Sequence, residues 1–178
     1  MAESSFKSKP HSPQKLRATK SVLDGKNLEL LRHLRNAPRL AVSELARRVG
    51  MSAPAVRERI ARLEESGVIA RWRLELDPVA LGFPLLAFVR VRPMPGQLPK
   101  VAELAQRISQ VVECHRTTGE DCFIMKVYFV AMEELDQVLD QFLAHGQTTT
   151  SLVQSTPVPS RDLPLPGRAG RPARGLRG

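Results

Sequence analysis

Residues 42–69 read VSELARRVGMSAPAVRERIARLEESGVI, two short amphipathic runs meeting at a glycine. Ser43 is placed to cap the first run, Glu44 to Val49, which sets Leu45, Ala46 and Val49 at helical spacing. Gly50 supplies the left-handed residue that closes it. Ser52 opens the second run, where Pro54 is tolerated because a first helical turn has no amide hydrogen bond to lose. Val56, Ile60 and Leu63 form the buried stripe of this helix, and Gly67 ends it. Upstream, Asp24 caps a further helix with Leu28, Leu31 and Leu34 on one face, stopped at Pro38.

Two helices joined this tightly need a small residue where they touch, a glycine at the turn and polar side chains outside. Ala46, Gly50 and Val56 meet that need at offsets of four and six. The outward face of the second helix then holds Pro54, Ala55, Arg57, Glu58, Ala61 and Arg62. This is the plan of a helix-turn-helix, whose second helix enters the DNA major groove while the first lies across the backbone. Arg57, in the first half of the helix, can reach base edges, where a guanidinium pairs with guanine. Arg62, Arg47 and Arg48 are better placed for phosphates. Ser52, Ala53, Pro54, Ala55 and Glu58 complete the expected surface against duplex DNA. A three-helix interaction module with solvated arginines is the bland alternative. The caps, the turn glycine and the basic outward face together favour DNA.

Beyond residue 82 the period changes. Leu85 to Arg92 alternates like a strand, and Val101, Leu104, Ala105 and Ile108 mark a helix. Val111 to Thr118 and Cys122 to Val130 read as strands hinged at Gly119-Glu120. Met132, Leu135, Val138, Leu139 and Phe142 mark a second helix, and Thr148 to Val153 a last strand. The order β-α-β-β-α-β is the ferredoxin-like plan, in which helices cover one face of the sheet. Leu86, Phe88, Ile124 and Tyr128 make the other face apolar as well, so it needs a cover, and a second copy of the same sheet is the economical one. The expected fold is α+β: a winged helix-turn-helix at residues 22–70, a hinge strand or linker at 71–82, and a ferredoxin-like domain at 83–157.

The net charge of +9 points towards a polyanion. Residues 1–21 and 158–178 each carry five basic residues against one acidic, so the tails hold most of the excess. Both are expected to be disordered, the first for want of hydrophobic periodicity, the second as a Pro/Gly/Arg tract. Gly170-Arg171-Pro172 is shared with minor-groove AT-hooks, though a solvated tail explains it as well. Residues 22–78 are basic and 79–157 mildly acidic, which suggests two functions. Cys114 and Cys122 have no disulfide framework or metal-ligand spacing and are expected to be free thiols. No metal or cofactor is expected. The N-terminus lacks a signal-peptide core, and the longest apolar run, Val79 to Val89, is broken by Pro84 and too short to cross a bilayer. The expectation is a cytoplasmic, nucleoid-associated protein with no membrane partner.

The stretches LDGKNLELLRHL, SELARRVGMSAPAVRERIARLEESGVI, LELDPVALGFP and VECHRTTGEDCFIMKV together resemble the Lrp/AsnC (feast/famine) family of prokaryotic transcription regulators over nearly all of residues 22–156. The resemblance implies a DNA-binding regulator that dimerises through its C-terminal domain, assembles further into octamers or discs, and responds to an amino acid. Gly119 and Asp121 match the family's TGxxD turn near the effector pocket, and Thr148 and Thr150 match its T-x-T on the last strand. Asn27 stands where the family usually has Asp, Cys122 where an aromatic is common, and Ala144-His145 where Gly-Val is usual.

Two other readings compete. Some proteins of this fold decarboxylate sirohaem, and His115-Arg116 on the second strand is the suggestive pair here. Those enzymes carry His-Tyr and an aromatic-rich following strand, whereas this chain has one Tyr and one Trp. An architectural DNA-compacting protein is the other reading, favoured by the basic tails.

Overall fold

The computed structural model describes residues 22–166. Residues 1–21 and the Gly170-Arg171-Pro172 tripeptide lie outside the described residues. The described chain divides into two compact units, residues 22–73 with 162–166, and residues 74–161.

The first unit is a three-helix core: α1 (Gly25–Asn36), α2 (Val42–Val49) and α3 (Ala53–Glu65). Asp24 caps α1, its Oδ1 accepting from the Asn27 N–H at 2.7 Å. The buried stripe of α1 is Asn27, Leu28, Leu30 and Leu34; Leu31 is only half-buried, contrary to the sequence expectation. The run LELLRHL supports two stripes about 100° apart, and packing selects the one carrying Leu30, which is wholly enclosed. Ser43 is not the cap of α2. That helix starts two residues earlier, at Val42 behind Ala41, whose carbonyl takes the Leu45 N–H at 2.9 Å, so Ser43 falls inside the first turn. Leu45, Ala46, Val49 and Val56 join Leu30 and Leu34 in one core, with Ile60 packed at its edge rather than buried within it.

The second unit is β1 (Leu85–Pro93), α4 (Leu98–Arg107), β2 (Val111–Arg116), β3 (Phe123–Phe129), α5 (Met132–Leu143) and β4 (Gly146–Leu152). The antiparallel sheet has the order β2-β3-β1-β4, as the βαββαβ plan requires. Ala87, Val89, Val91, Phe123, Met125, Val127 and Phe129 point under the helices and meet Val101, Leu104, Leu135, Val138 and Phe142. The opposite face bears Phe88, 43% exposed, with Leu86, Ile124 and Tyr128 half-buried. It is less uniformly apolar than the sequence suggested. Register places Arg90, Lys126, Glu113 and His115 on it too, and the Lys126 ammonium stands 5.2 Å from the Tyr128 ring centre.

The expected hinge at 71–82 forms no strand among the described residues. It exposes Leu74 and Leu76, then folds into a turn in which the Asp77 carboxylate accepts from the Val79 N–H at 2.9 Å. Residues 158–166 contain no helix or strand.

Candidate DNA-binding helix and effector turn

The helix-turn-helix is assembled by backbone chemistry at Gly50 and Ser52. Gly50 adopts φ 64°, in the left-handed region, so the chain can reverse and the Met51 N–H can close on the Ala46 carbonyl at 2.9 Å. Ser52 then caps α3, its Oγ accepting from the Ala55 N–H at 3.4 Å, with Pro54 in the first turn. Ala46 is buried where α2 meets the rest of the unit, and its lack of bulk lets the helices approach.

This frame sets out the expected DNA-facing residues in different states. Pro54, Arg57, Glu58 and Arg62 are exposed, while Ala53 and Ala55 are half-buried beneath them. Arg57 has no hydrogen-bond or ion-pair partner among the described residues. Arg62 donates to Glu58 one turn back at 2.5 Å. Arg47 and Arg48 are both held by Glu44, through Arg47 Nε at 2.9 Å and Arg48 Nε at 2.8 Å. The hydrogen bonds from Arg47, then Arg48, pull the Glu44 carboxyl down to about 2. Phosphate oxygens would have to replace these carboxylates at Arg47, Arg48 and Arg62, whereas Arg57 is free to meet a base.

Arg59 escaped the sequence reading. Helical spacing sets it beside Val56 and Leu63, off the outward face, but names no partner for it; its guanidinium turns back to α1 and donates to Asp24 Oδ2 at 2.6 Å and Asn27 Oδ1 at 3.0 Å. Burial pushes the Asp24 carboxyl up, but the hydrogen bonds from Arg59 and the Asn27 N–H outweigh it and leave the group below its ordinary range.

In the second unit, Gly119 takes φ 107°, which favours glycine, and so permits the turn between β2 and β3. Thr117 Oγ1 donates to the Asp121 carbonyl at 2.6 Å and fastens the turn. Thr148 pairs with Val91 and Thr150 with Val89, so both threonines point to the helix side of β4. Val91 pairs on its other side with Phe123, so Thr148 lies two strands, roughly 10 Å, from the foot of the turn. Gly119, Asp121 and Thr148 thus lie towards one end of the sheet, while Thr150 pairs at the middle of β1, so the four expected effector residues do not form one cluster. The structure adds Arg92, which the sequence reading missed: it pairs with Glu120 and lies 3.8 Å from the Asp121 carboxylate. The register of β1 against β3 was the available signal. Gly146 was also missed. It abuts Arg92 so closely that a Cβ would stand 2.3 Å from the Arg92 carbonyl oxygen.

His115 faces solvent and shares a 2.6 Å contact with Glu113. Cys114 and Cys122 are free thiols. Among the described residues no group of acidic, His or Cys side chains could hold a metal, and no helix is long and apolar enough to cross a membrane.

Residues 23–70 match the winged helix-turn-helix DNA-binding family, and residues 86–163 match the Lrp/AsnC ligand binding domain. The chain is 30% identical to the transcriptional regulator FL11 of Pyrococcus horikoshii, covering 80% of this chain and 97% of that protein. It is 27% identical to the regulator LrpC of Bacillus subtilis, covering 75% of this chain and 92% of LrpC. A transcriptional regulator from Neisseria meningitidis, solved in complex with L-Met, superposes with a TM-score of 0.74 at 26% identity over 80% of this chain and 96% of its own. With its helix-turn-helix and its βαββαβ sheet both accounted for, the chain belongs to the Lrp/AsnC family of DNA-binding transcriptional regulators.

Proposed function

We propose that α3 reads a specific duplex sequence, with Arg57 against a base edge and Arg47, Arg48 and Arg62 against phosphates. The observation that carries this reading is Arg57 itself: an exposed guanidinium with no partner among the described residues, on a helix capped and braced for groove entry. Two copies pair through the open sheet face, where Phe88, Leu86, Ile124 and Tyr128 supply apolar surface interleaved on the two central strands with Arg90 and Lys126, and Glu113 lies on the edge strand β2. Further assembly into an octamer follows the family habit.

An amino acid or related metabolite acts at the turn. Asp121 accepts from the ammonium of the ligand, exchanging it for Arg92, and the amides near Gly119 donate to its carboxylate. Thr148, two strands away on the helix side of β4, is left for the far end of its side chain, with Thr150 further along. The L-Met complex of the Neisseria meningitidis regulator supports this class of ligand.

The basic tails favour a second reading, an architectural protein that coats DNA. Footprinting on genomic fragments separates the two. The regulator protects a few preferred sites first; an architectural protein protects all sequences at one concentration. Thermal shift against the twenty amino acids, with Asp121→Ala as control, tests the effector site. Equal shifts in both proteins would remove Asp121 from it.

A further inference from the structure

The first turn of α1 touches both helices of the DNA-reading pair. Lys26 Nζ donates to the Val49 carbonyl at the C-terminus of α2, at 2.6 Å. Asp24 and Asn27 together hold Arg59 of α3. Asn27 is 5% exposed and engaged at both ends of its amide: its Oδ1 accepts from Arg59 and its Nδ2 donates to the Val22 carbonyl at 2.6 Å. Two residues along a helix are about 200° apart, so Arg59 lies on the far side of α3 from Arg57. Its side chain is 30% exposed, against 67% for Arg62.

We infer that Arg59 is a positioning residue for DNA reading: anchored by Asp24 and Asn27, it fixes the tilt of α3 on α1 and meets no DNA itself. The helix has 13 residues, and Arg57 lies about 12 Å from its C-terminal residue, so a tilt of about 5° about that end moves Arg57 by roughly 1 Å. A displacement of that size breaks a directed hydrogen bond to a base edge. Phosphate contacts, made by long side chains to a regular lattice of charge, tolerate it. The brace therefore governs sequence preference more than affinity for DNA as such.

The inference rests on α3 being the reading helix, and its test keeps the two apart. Asp24→Asn retains a side-chain oxygen to cap α1, since Asn caps as well as Asp, but gives up the anion that holds Arg59. Arg59→Met keeps the aliphatic stem. Each full-length variant is titrated with the preferred duplex and with random duplex over a range of salt, and its melting temperature is recorded. Both variants are expected to lose about tenfold on the preferred duplex and less than about twofold on random duplex, with the salt slope unchanged. The double variant should be no worse than Arg59→Met, because the two residues act through one contact. If Arg59→Met flattened the slope by about one unit while Asp24→Asn behaved as wild type, Arg59 would be a DNA contact and the inference would fall. Equal losses on both duplexes, or no loss, would also overturn it. Should Arg59→Met fail to fold, Asp24→Asn alone decides. A wild type with no preferred duplex would overturn this inference and the proposed function together.

Discussion

Gly146→Ala puts the close approach of β1 and β4 under direct stress. No unusual backbone angle demands glycine at residue 146; the demand is for space. An added Cβ would stand 2.3 Å from the Arg92 carbonyl oxygen and 2.9 Å from the Pro93 Cα, both backbone atoms that no rotamer change can clear. The strands must part by about 1 Å to restore ordinary contact. Doing so strains the Pro93–Gly146 end of the ladder and the neighbouring bond from the Met94 N–H to the His145 carbonyl, 2.9 Å long. Losing one or two such bonds costs about 1 kcal/mol each, and overpacking adds about 1–3 kcal/mol, so the substitution should destabilise the sheet unit by about 2–5 kcal/mol. Urea unfolding followed by far-UV circular dichroism measures this. The midpoint should fall without a change in slope. Because Arg92 also carries the contacts to Glu120 and Asp121, any ligand shift seen with wild type should shrink as well. A variant within about 0.5 kcal/mol of wild type would refute the steric reasoning.

Glu44→Gln should release Arg47 and Arg48 and remove an anion from the DNA-facing side; filter binding should show tighter association with random duplex and a salt slope steeper by about one unit. Because the Glu44 carboxyl is depressed to about 2, its stabilising contribution is present above the ordinary carboxylate value and is lost as pH falls through about 2; acid titration of the Gln variant should lack that step. Phe88→Ala should weaken the dimer: burying the exposed 43% of the ring is worth about 1 kcal/mol per subunit, so sedimentation should show roughly thirtyfold weaker association. Removing residues 1–21 and 158–178 should lower affinity for random duplex and leave the preferred sequence unchanged in a competition assay.

Local signals in the sequence were enough where one residue decides the geometry. Gly50 closes α2 and Ser52 caps α3 because a left-handed residue and a short hydroxyl are each required at one place. The strict alternation of β3, buried at Phe123, Met125, Val127 and Phe129, was equally plain, since a half-buried strand can present only one parity to the core. What escaped depends on partners distant in the chain. Leu30 and Leu31 are equivalent to a periodicity count, and only packing against α2 separates them. Helical spacing keeps Arg59 off the face that carries Arg57, but its partner Asp24, 35 residues away, is found only in the fold. The matched turn and threonines were found by resemblance, but Arg92 comes beside that turn only through the β1–β3 register. Ser43 misled because a hydroxyl in a first turn looks, in one dimension, like a hydroxyl one position before it.

Whether α3 reads sequence through Arg57 is decided by a binding comparison of Arg57→Ala and wild type. The assay uses the preferred duplex, its single base-pair variants and random duplex. Arg57 has no partner within the described chain, so the substitution should leave the melting temperature unchanged and any lost affinity belongs to DNA. A loss of about 1–3 kcal/mol is expected on the preferred duplex and, at one base pair, disappearance of the penalty that wild type shows for a mismatch. A loss equal on preferred and random DNA, with every mismatch penalty retained, would contradict it.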